Sequence, residues 1–269
     1  MRAPMPGCAF RKIPGPEDQR LPHEDAVSPR AFLGFRWLFL LVLWQVALCR
    51  AEEDPWEGWT FVDLTARSVL NTTPTRVQIE APGGNFNMMI GQDQDAPRFM
   101  RPVEGDFEAS VRVRGAYAPG LVGATGGVSF NGGGFLLWAG ANEFLRFERD
   151  LWHVPGNTAP LMHGPLIEYW RSDHPKAQVS NQVIPPHHQG AVWLRVQRRG
   201  STLTFFVATT RGLWREIGVQ EAPFGAGLSI GFCAVNTSRK PFLVDFSEFE
   251  LLERKQSQEG SEQDVEIGN

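Results

Sequence analysis

Phe107-Glu108-Ala109-Ser110-Val111-Arg112-Val113-Arg114 places apolar residues at 107, 109, 111 and 113 and, save for Ser110, charged ones at the positions between. Successive side chains of a strand point to opposite faces, so the segment reads as a half-buried β-strand with one face on a core. The same alternation recurs in Val77/Ile79, Leu145/Phe147, Val192/Leu194/Val196, Leu203/Phe205/Val207, Leu228/Ile230/Phe232/Ala234 and Phe242/Val244/Phe246. Each apolar set is expected to line one core between two sheets, with Phe107, Val111, Phe147, Leu194, Phe205, Ile230 and Phe246 among its members. From Trp56 to Glu253 no stretch sustains a helical period, and Gly, Pro and Asn break the chain at short intervals. Arg199-Gly200 reads as a tight hairpin and Gly212 as the next reversal before Trp214, so antiparallel neighbours are expected.

Composition agrees with this reading. With 28 Gly, 20 Pro and 19 Phe among 269 residues, and only 21 % charged, the chain suits short strands joined by many turns. The formal net charge of −4 is spread along the sequence rather than gathered into basic stripes, which sets nucleic acid aside as a partner.

Residues 31–48, AFLGFRWLFLLVLWQVAL, are free of charge only from Trp37 to Leu48. That run is shorter than the ~20 residues of a bilayer span and fits the core of a signal peptide. Cys49-Arg50-Ala51 puts small residues at the third and first positions before Glu52, so cleavage is expected after Ala51. An uncleaved anchor held by Arg30 and Arg36 is the alternative, and the one route by which a membrane becomes a partner. Val46-Ala47-Leu48-Cys49 approximates a lipobox, but Leu48 is too large for its place. The acidic, Pro-rich stretch before Val27 is unusual for a signal peptide, and Val27 offers an alternative start. The expected organisation is a leader over 1–51, a sandwich over 52–254 and an acidic tail over 255–269 with too few hydrophobes to fold. A secreted, periplasmic or cell-envelope location follows. With Cys8 and Cys49 in or before the leader, Cys233 is the one thiol left, and it suits export if it is buried as a small hydrophobe.

Several ordered stretches carry a family resemblance. They are Asp95-Ala96-Pro97-Arg98-Phe99-Met100-Arg101-Pro102-Val103-Glu104-Gly105-Asp106-Phe107-Glu108, Gly134-Phe135-Leu136-Leu137-Trp138 and Glu143-Phe144-Leu145-Arg146-Phe147-Glu148-Arg149. Ala234-Val235-Asn236-Thr237-Ser238, followed by Pro241-Phe242, and the hairpin from Trp193 to Trp214 complete the set. In these the chain resembles bacterial concanavalin-A-like lectin/glucanase domains of unknown function, related to the domain of the yeast regulation-of-enolase protein. Where relatives tend to show a Ser-x-Asp-Gly turn, this sequence has Thr209-Thr210-Arg211-Gly212 and lacks the acid. The resemblance implies an all-β fold, a two-sheet antiparallel jelly-roll sandwich, and by analogy only, carbohydrate recognition.

Glu104-Gly105-Asp106-Phe107-Glu108 matches the Glu-x-Asp-x-Glu spacing of a jelly-roll glucanase family, whose outer glutamates act as nucleophile and acid/base. Retaining hydrolysis needs carboxyls about 5 to 5.5 Å apart. Four residues of regular strand separate them by roughly 13 Å, so the pair requires a bulge, which Gly105 permits. His153, His163, His174, His187 and His188 cluster in sequence but show no metal-ligand spacing, and no metal site is expected from them. A structural calcium held by Asp63 and Asp245 is open on fold analogy; otherwise no cofactor is expected. Asn131-Gly132-Gly133-Gly134 lacks the Lys-Ser/Thr of a phosphate-binding loop and reads as a turn.

The outward positions Arg112, Arg146, Glu148, Trp193 and Arg195 form one charged, aromatic-bearing face if their strands are neighbours. The Pro-rich excursion from Trp152 to Gly190, too long for a hairpin loop, borders that face with Trp152 and Trp170. Sugar recognition needs flat aromatic rings and planar hydrogen-bonding groups, and the set Arg146, Glu148, Trp193, Arg195, Trp152 and Trp170 holds both. A solvated face of cross-strand Arg–Glu pairs is the plainer alternative. The function expected is noncatalytic binding of a glycan or other cell-surface polymer. A glycoside hydrolase using Glu104 and Glu108, and a structural or protein-interaction module, are the other readings.

Overall fold

A computed structural model of the chain describes residues 54–91, 93–156, 162–180, 190–225 and 227–254. The expected leader and tail, and His187 and His188, lie outside the described residues. Within these, fourteen strands form two seven-stranded sheets and there is no helix. Sheet A orders β1 (Thr60–Val62), β4 (Arg98–Pro102), β13 (Ser229–Asn236), β6 (Ser129–Gly140), β7 (Glu143–His153), β8 (Met162–Arg171) and β9 (His174–Ser180). Sheet B orders β12 (Arg215–Glu221), β11 (Thr202–Ala208), β10 (Val192–Arg199), β5 (Asp106–Gly115), β14 (Phe242–Arg254), β3 (Arg76–Ala81) and β2 (Val69–Thr73). Sequence neighbours such as β6 and β7 pair as hairpins, whereas β13 inserts between β4 and β6, giving the antiparallel jelly-roll sandwich expected.

All seven residues expected in the core, Phe107, Val111, Phe147, Leu194, Phe205, Ile230 and Phe246, are buried in one cluster between the sheets. On β5 every second residue from Phe107 to Val113 is fully buried and the intervening ones are not, as alternation dictates. Edge-to-face packing of Phe147 on Phe205, 5.2 Å between centroids, joins sheet A to sheet B, and Phe232 stacks on Phe246 at 4.6 Å.

Sheet A departs from the half-buried pattern. Its other face carries a second apolar cluster, Met88, Ala96, Met100, Leu136, Phe144, Cys233 and Val235, with Phe130, Trp138 and Trp170 packed around it. Strands β6 and β7 are therefore covered on both faces, and their burial is nearly continuous. Cys233 is buried as expected, but in this second cluster rather than between the sheets.

Two readings of the sequence are corrected here. The excursion from Trp152 to Gly190 is not a long loop: β8 pairs with β7 from Arg171↔Glu143 to Met162↔Trp152, and β9 pairs with β8. Asn131-Gly132-Gly133-Gly134 is a stretch of β6, not a turn. The glycines are there because neighbours approach closely: a Cβ on Gly133 would lie 2.6 Å from Val244 Cγ2, and one on Gly134 only 2.1 Å from the Phe147 carbonyl oxygen.

Candidate ligand groove on sheet A

Because Leu145 and Phe147 face the inter-sheet core, Phe144, Arg146, Glu148 and Asp150 point to the outer face of sheet A. Cross-strand register then sets Arg146 between Leu136 and Glu168, Glu148 between Gly134 and Leu166, and Asp150 between Gly132 and Gly164. Over this face lies a groove of about 470 Å³. Buried Arg146, Leu166 and Glu168 form its base, half-buried Phe130, Trp152 and Trp170 its sides, and Asn85, Asn87, Thr125 and Thr237 contribute polar groups from connecting segments. Trp170 ends an aromatic ladder that follows the register: it stacks on Phe144 at 6.1 Å, which stacks on Trp138 at 5.4 Å. The Arg98 guanidinium caps the far end, 4.6 Å from the Trp138 ring.

Arg146, 4 % exposed, donates from Nη2 to Glu168 Oε2, and its Nη1 is 3.5 Å from Glu148 Oε2. Its Nε and Nη1 have no hydrogen-bond partner, and neither has Glu148 Oε2. Burial alone would lower the Arg146 pKa, but Glu148 and Glu168 outweigh it and hold the guanidinium firmly charged. Burial pushes Glu148 up; the Arg146 charge and the Cys233 thiol, which donates to Oε1 at 3.2 Å, offset part of that. The same burial and the neighbouring carboxylate push the Cys233 thiol well up, so it remains a donor. Asp150 is pushed up to about 8 by burial and then by Glu148. The Gly164 amide draws it back, but neither Asp150 oxygen has a well-formed hydrogen bond. Gly132 and Gly164 leave room for these acids: a Cβ on Gly132 would lie 2.5 Å from Glu148 Oε2, and one on Gly164 2.8 Å from Asp150 Oδ1.

The single face expected for Arg146, Glu148, Trp193 and Arg195 is divided between two sheets. Arg146 and Glu148 are buried on the outer face of sheet A, with Trp152 and Trp170 in the groove beside them. Trp193 and Arg195 lie on the outer face of sheet B, because β10 pairs with β5 and β11 and the whole core separates it from β7. There Trp193 Nε1 donates to Glu248 at 3.2 Å under the Arg112 guanidinium. Arg195 lies over Phe206 and Trp214 and 3.4 Å from Glu108. This second face matches the plainer alternative, a solvated face of cross-strand pairs.

Glu108 also lies on that face and accepts from Gln197 Nε2 at 2.7 Å. Glu104 is exposed two residues before β5, and Gly105 takes a left-handed φ of 62°. Gly105 lies between the two glutamates of the glucanase spacing, and beyond it the register of β5 against β10 runs without a shift from Phe107 to Val113. Asp63 accepts from the Thr65 amide and hydroxyl and from the Ser68 amide, while Asp245 is engaged by Arg76 and Gln78. His153 Nδ1 lies 2.7 Å from the Leu121 carbonyl oxygen. The side chains of His163 and His174 are outside the description. Among the described residues no three His, Cys, Asp or Glu side chains are grouped to hold a metal.

Glu168, Asn85, Asn87 and Phe130 were not legible as site residues. Glu168 had a signal: Ile167 and Tyr169 alternate with Glu168 and Trp170, and both apolar residues reach the inter-sheet core.

Two seven-stranded antiparallel sheets around one core, with a groove across one outer face, place the chain in the class of antiparallel jelly-roll β-sandwiches. Among solved structures it is similar to a functionally unknown protein from Saccharomyces cerevisiae, with a TM-score of 0.57 and 15 % identity, covering 74 % of this chain and 98 % of that one. It is also similar to a mutant of the GH43 protein BlXynB from Bacillus licheniformis, with a TM-score of 0.54 and 15 % identity over 73 % of this chain, and it spans 37 % of that chain. No protein-family model and no curated protein matches it. At such identities the likeness is one of fold, and fold does not fix function.

Proposed function

We propose that the chain is a noncatalytic, extracytoplasmic binding module for a glycan or other polyhydroxylated cell-surface polymer, and that the ligand lies in the groove on sheet A. The observation that carries this reading is Arg146, a buried guanidinium lining the groove whose Nε has no hydrogen-bond partner and whose Nη1 meets Glu148 only as an ion pair at 3.5 Å. A buried donor left unpaired costs on the order of 1–3 kcal/mol, which a ligand oxygen would recover. Phe130, Trp152 and Trp170 supply ring faces of the kind sugars stack on. Arg146 and Trp170 Nε1 both donate to Glu168, which is thereby held as an oriented acceptor rather than a proton donor. The carboxyl that keeps its proton at neutral pH, Asp150, is not among the groove-lining residues, which favours binding over hydrolysis.

The test is isothermal titration of the full chain against a panel of soluble polysaccharides, with Trp152→Ala and Trp170→Ala as variants. The reading expects one polymer to bind and each variant to weaken it about tenfold or more, and it fails if both folded variants keep full affinity. Export through the leader is tested separately by sequencing the N-terminus of the released chain, expected at Glu52.

A further inference from the structure

We infer that one end of the sandwich docks on an anionic membrane surface, a route to a membrane separate from an uncleaved leader. The inference stands apart from the glycan reading, although it fixes where the groove would open.

Antiparallel register decides which connections share an end. Pairs such as Val62↔Arg98, Asn131↔Asn236, Ala81↔Phe242, Gly115↔Val244 and Val207↔Arg215 set the ends of β1, β3, β5, β11 and β13 beside the starts of β2, β4, β6, β12 and β14. The connections 63–68, 82–97, 116–128, 209–214 and 237–241 therefore emerge together.

Apolar exposure is confined to that end. Leu64, Leu121, Val122, Val128 and Leu213, all in these connections, are between 40 % and 73 % exposed. The described connections of the opposite end, such as 103–105, 141–142, 172–173 and 200–201, expose no large hydrophobic residue. Single exposed leucines are ordinary on a protein surface, but their collection at one end is not. The connection carrying three of them is fixed in place: Gly123 N donates to the Gly127 carbonyl at 3.0 Å, Ala124 N to that of Thr237 at 2.8 Å, and Ser129 Oγ to that of Pro119.

Positive charge accompanies the apolar tips. Arg67, Arg239 and Lys240 are exposed in the same connections, and none is ion-paired among the described residues. Of the acids here, Asp63 accepts from Thr65 and Ser68, Asp93 engages Asn85, and Glu216 stands next to exposed Arg215. The segments 157–161 and 181–189, outside the described residues, contain no Asp or Glu.

The spread of the tips favours a flat partner. Leu64 precedes β2 and Leu213 precedes β12, and these strands stand six spacings apart in sheet B, roughly 29 Å at about 4.8 Å per strand. No one pocket gathers such tips, whereas a bilayer takes each separately while the cations meet its anionic headgroups. Thr125, Val128 and Thr237 of the same connections line the groove, so docking would open it at the membrane surface.

Hydrogen exchange of the full-length chain tests this with vesicles of equal parts phosphatidylglycerol and phosphatidylcholine. Amides of 63–68, 117–128 and 210–214 should exchange about fivefold or more slowly once vesicles are added, and those of 103–105, 141–142 and 200–201 should not change. A leader that binds lipid by itself would not produce this difference between two ends of one sandwich. Leu121→Ser combined with Leu213→Ser, or Arg239→Glu combined with Lys240→Glu, should abolish the protection, and added salt should weaken it. Protection that survives both double variants, or that is equal with phosphatidylcholine alone, overturns the inference. So does an end that vesicles leave unprotected, which would pass to a protein partner. The unaltered chain decides the matter should a variant fail to fold, and none of these outcomes bears on the polysaccharide titrations.

Discussion

A carboxyl removed from water and placed beside a second carboxyl keeps its proton to higher pH, and Asp150, 1 % exposed and with a pKa near 8, shows the consequence. Its folded pKa lies above its ordinary value, so between about pH 4 and pH 8 the folded chain binds more protons than the unfolded one. Stability is therefore fullest at the acid end of that window and falls as pH rises, by on the order of 1 kcal/mol per pH unit for one such group. Glu148, shifted in the same direction, adds to the slope. Asp150→Asn should match the parent near pH 4.5, exceed it at pH 8 and flatten the pH profile, as measured by urea unfolding at both values. A parent that grows more stable from pH 5 to 8 would contradict the placement of this acid. Gly134 makes a second test, because the oxygen 2.1 Å from its added Cβ belongs to backbone of β7 and cannot swing away. Gly134→Ala should lose about 1–3 kcal/mol through forced displacement of the β6–β7 pair. Neither feature was legible beforehand: alternation tells which face Glu148 and Asp150 point to, but not that a second layer of side chains covers that face.

At the scale of elements, β7 decides most of what the molecule can do, since it sends Leu145 and Phe147 into the core and Arg146 and Glu148 toward the groove. Phe147 is fully buried and its ring meets Phe205 of the opposite sheet, so Phe147→Ala should cost about 3–5 kcal/mol in denaturant unfolding. A change below about 1 kcal/mol would mean that the two sheets do not meet there. The strands with clean alternation, β5, β10, β11 and the first half of β14, were readable because each has one core face and a period of two needs no further context. Strand β8 was not, because Pro165 sits within it and proline argues against a central strand. Pro165 is opposite Arg149 of β7, and the described pairing of β8 with β9 begins at Leu166. The glycines of β6 misled for a related reason: a run of three usually marks a turn, whereas here it records how closely β7, β14 and the buried acids approach that strand.

For the molecule as a whole, the two outer faces are physically different surfaces. Sheet A carries a second apolar layer, a buried ionic cluster and a groove; sheet B carries solvated cross-strand pairs such as Arg195–Glu108 and Arg112–Glu248. Which sheet a strand joins depends on pairings between segments far apart in sequence, as when β10 meets β5, so local alternation placed Arg146 and Trp193 correctly as outward yet wrongly on one face. This difference yields a paired prediction. Trp193 is half-exposed, and its indole donates to Glu248 beneath Arg112, so Trp193→Ala should change stability by less than about 1 kcal/mol. Ligand affinity should stay within twofold, because the ring is on the sheet opposite the groove. Trp170 lines the groove, stacks on Phe144 and donates to Glu168, so Trp170→Ala removes a stacking surface and loosens the acceptor beside it. Its affinity loss should reach tenfold or more, about 1.4 kcal/mol, and Trp170→Phe, which keeps a ring but not the Nε1 donor, should fall between. Measured together by titration with the same bound polysaccharide, the three variants separate the two faces. Equal losses for Trp193→Ala and Trp170→Ala would place the ligand across both sheets, which this sandwich does not allow, and a loss confined to Trp193→Ala would move the site to sheet B.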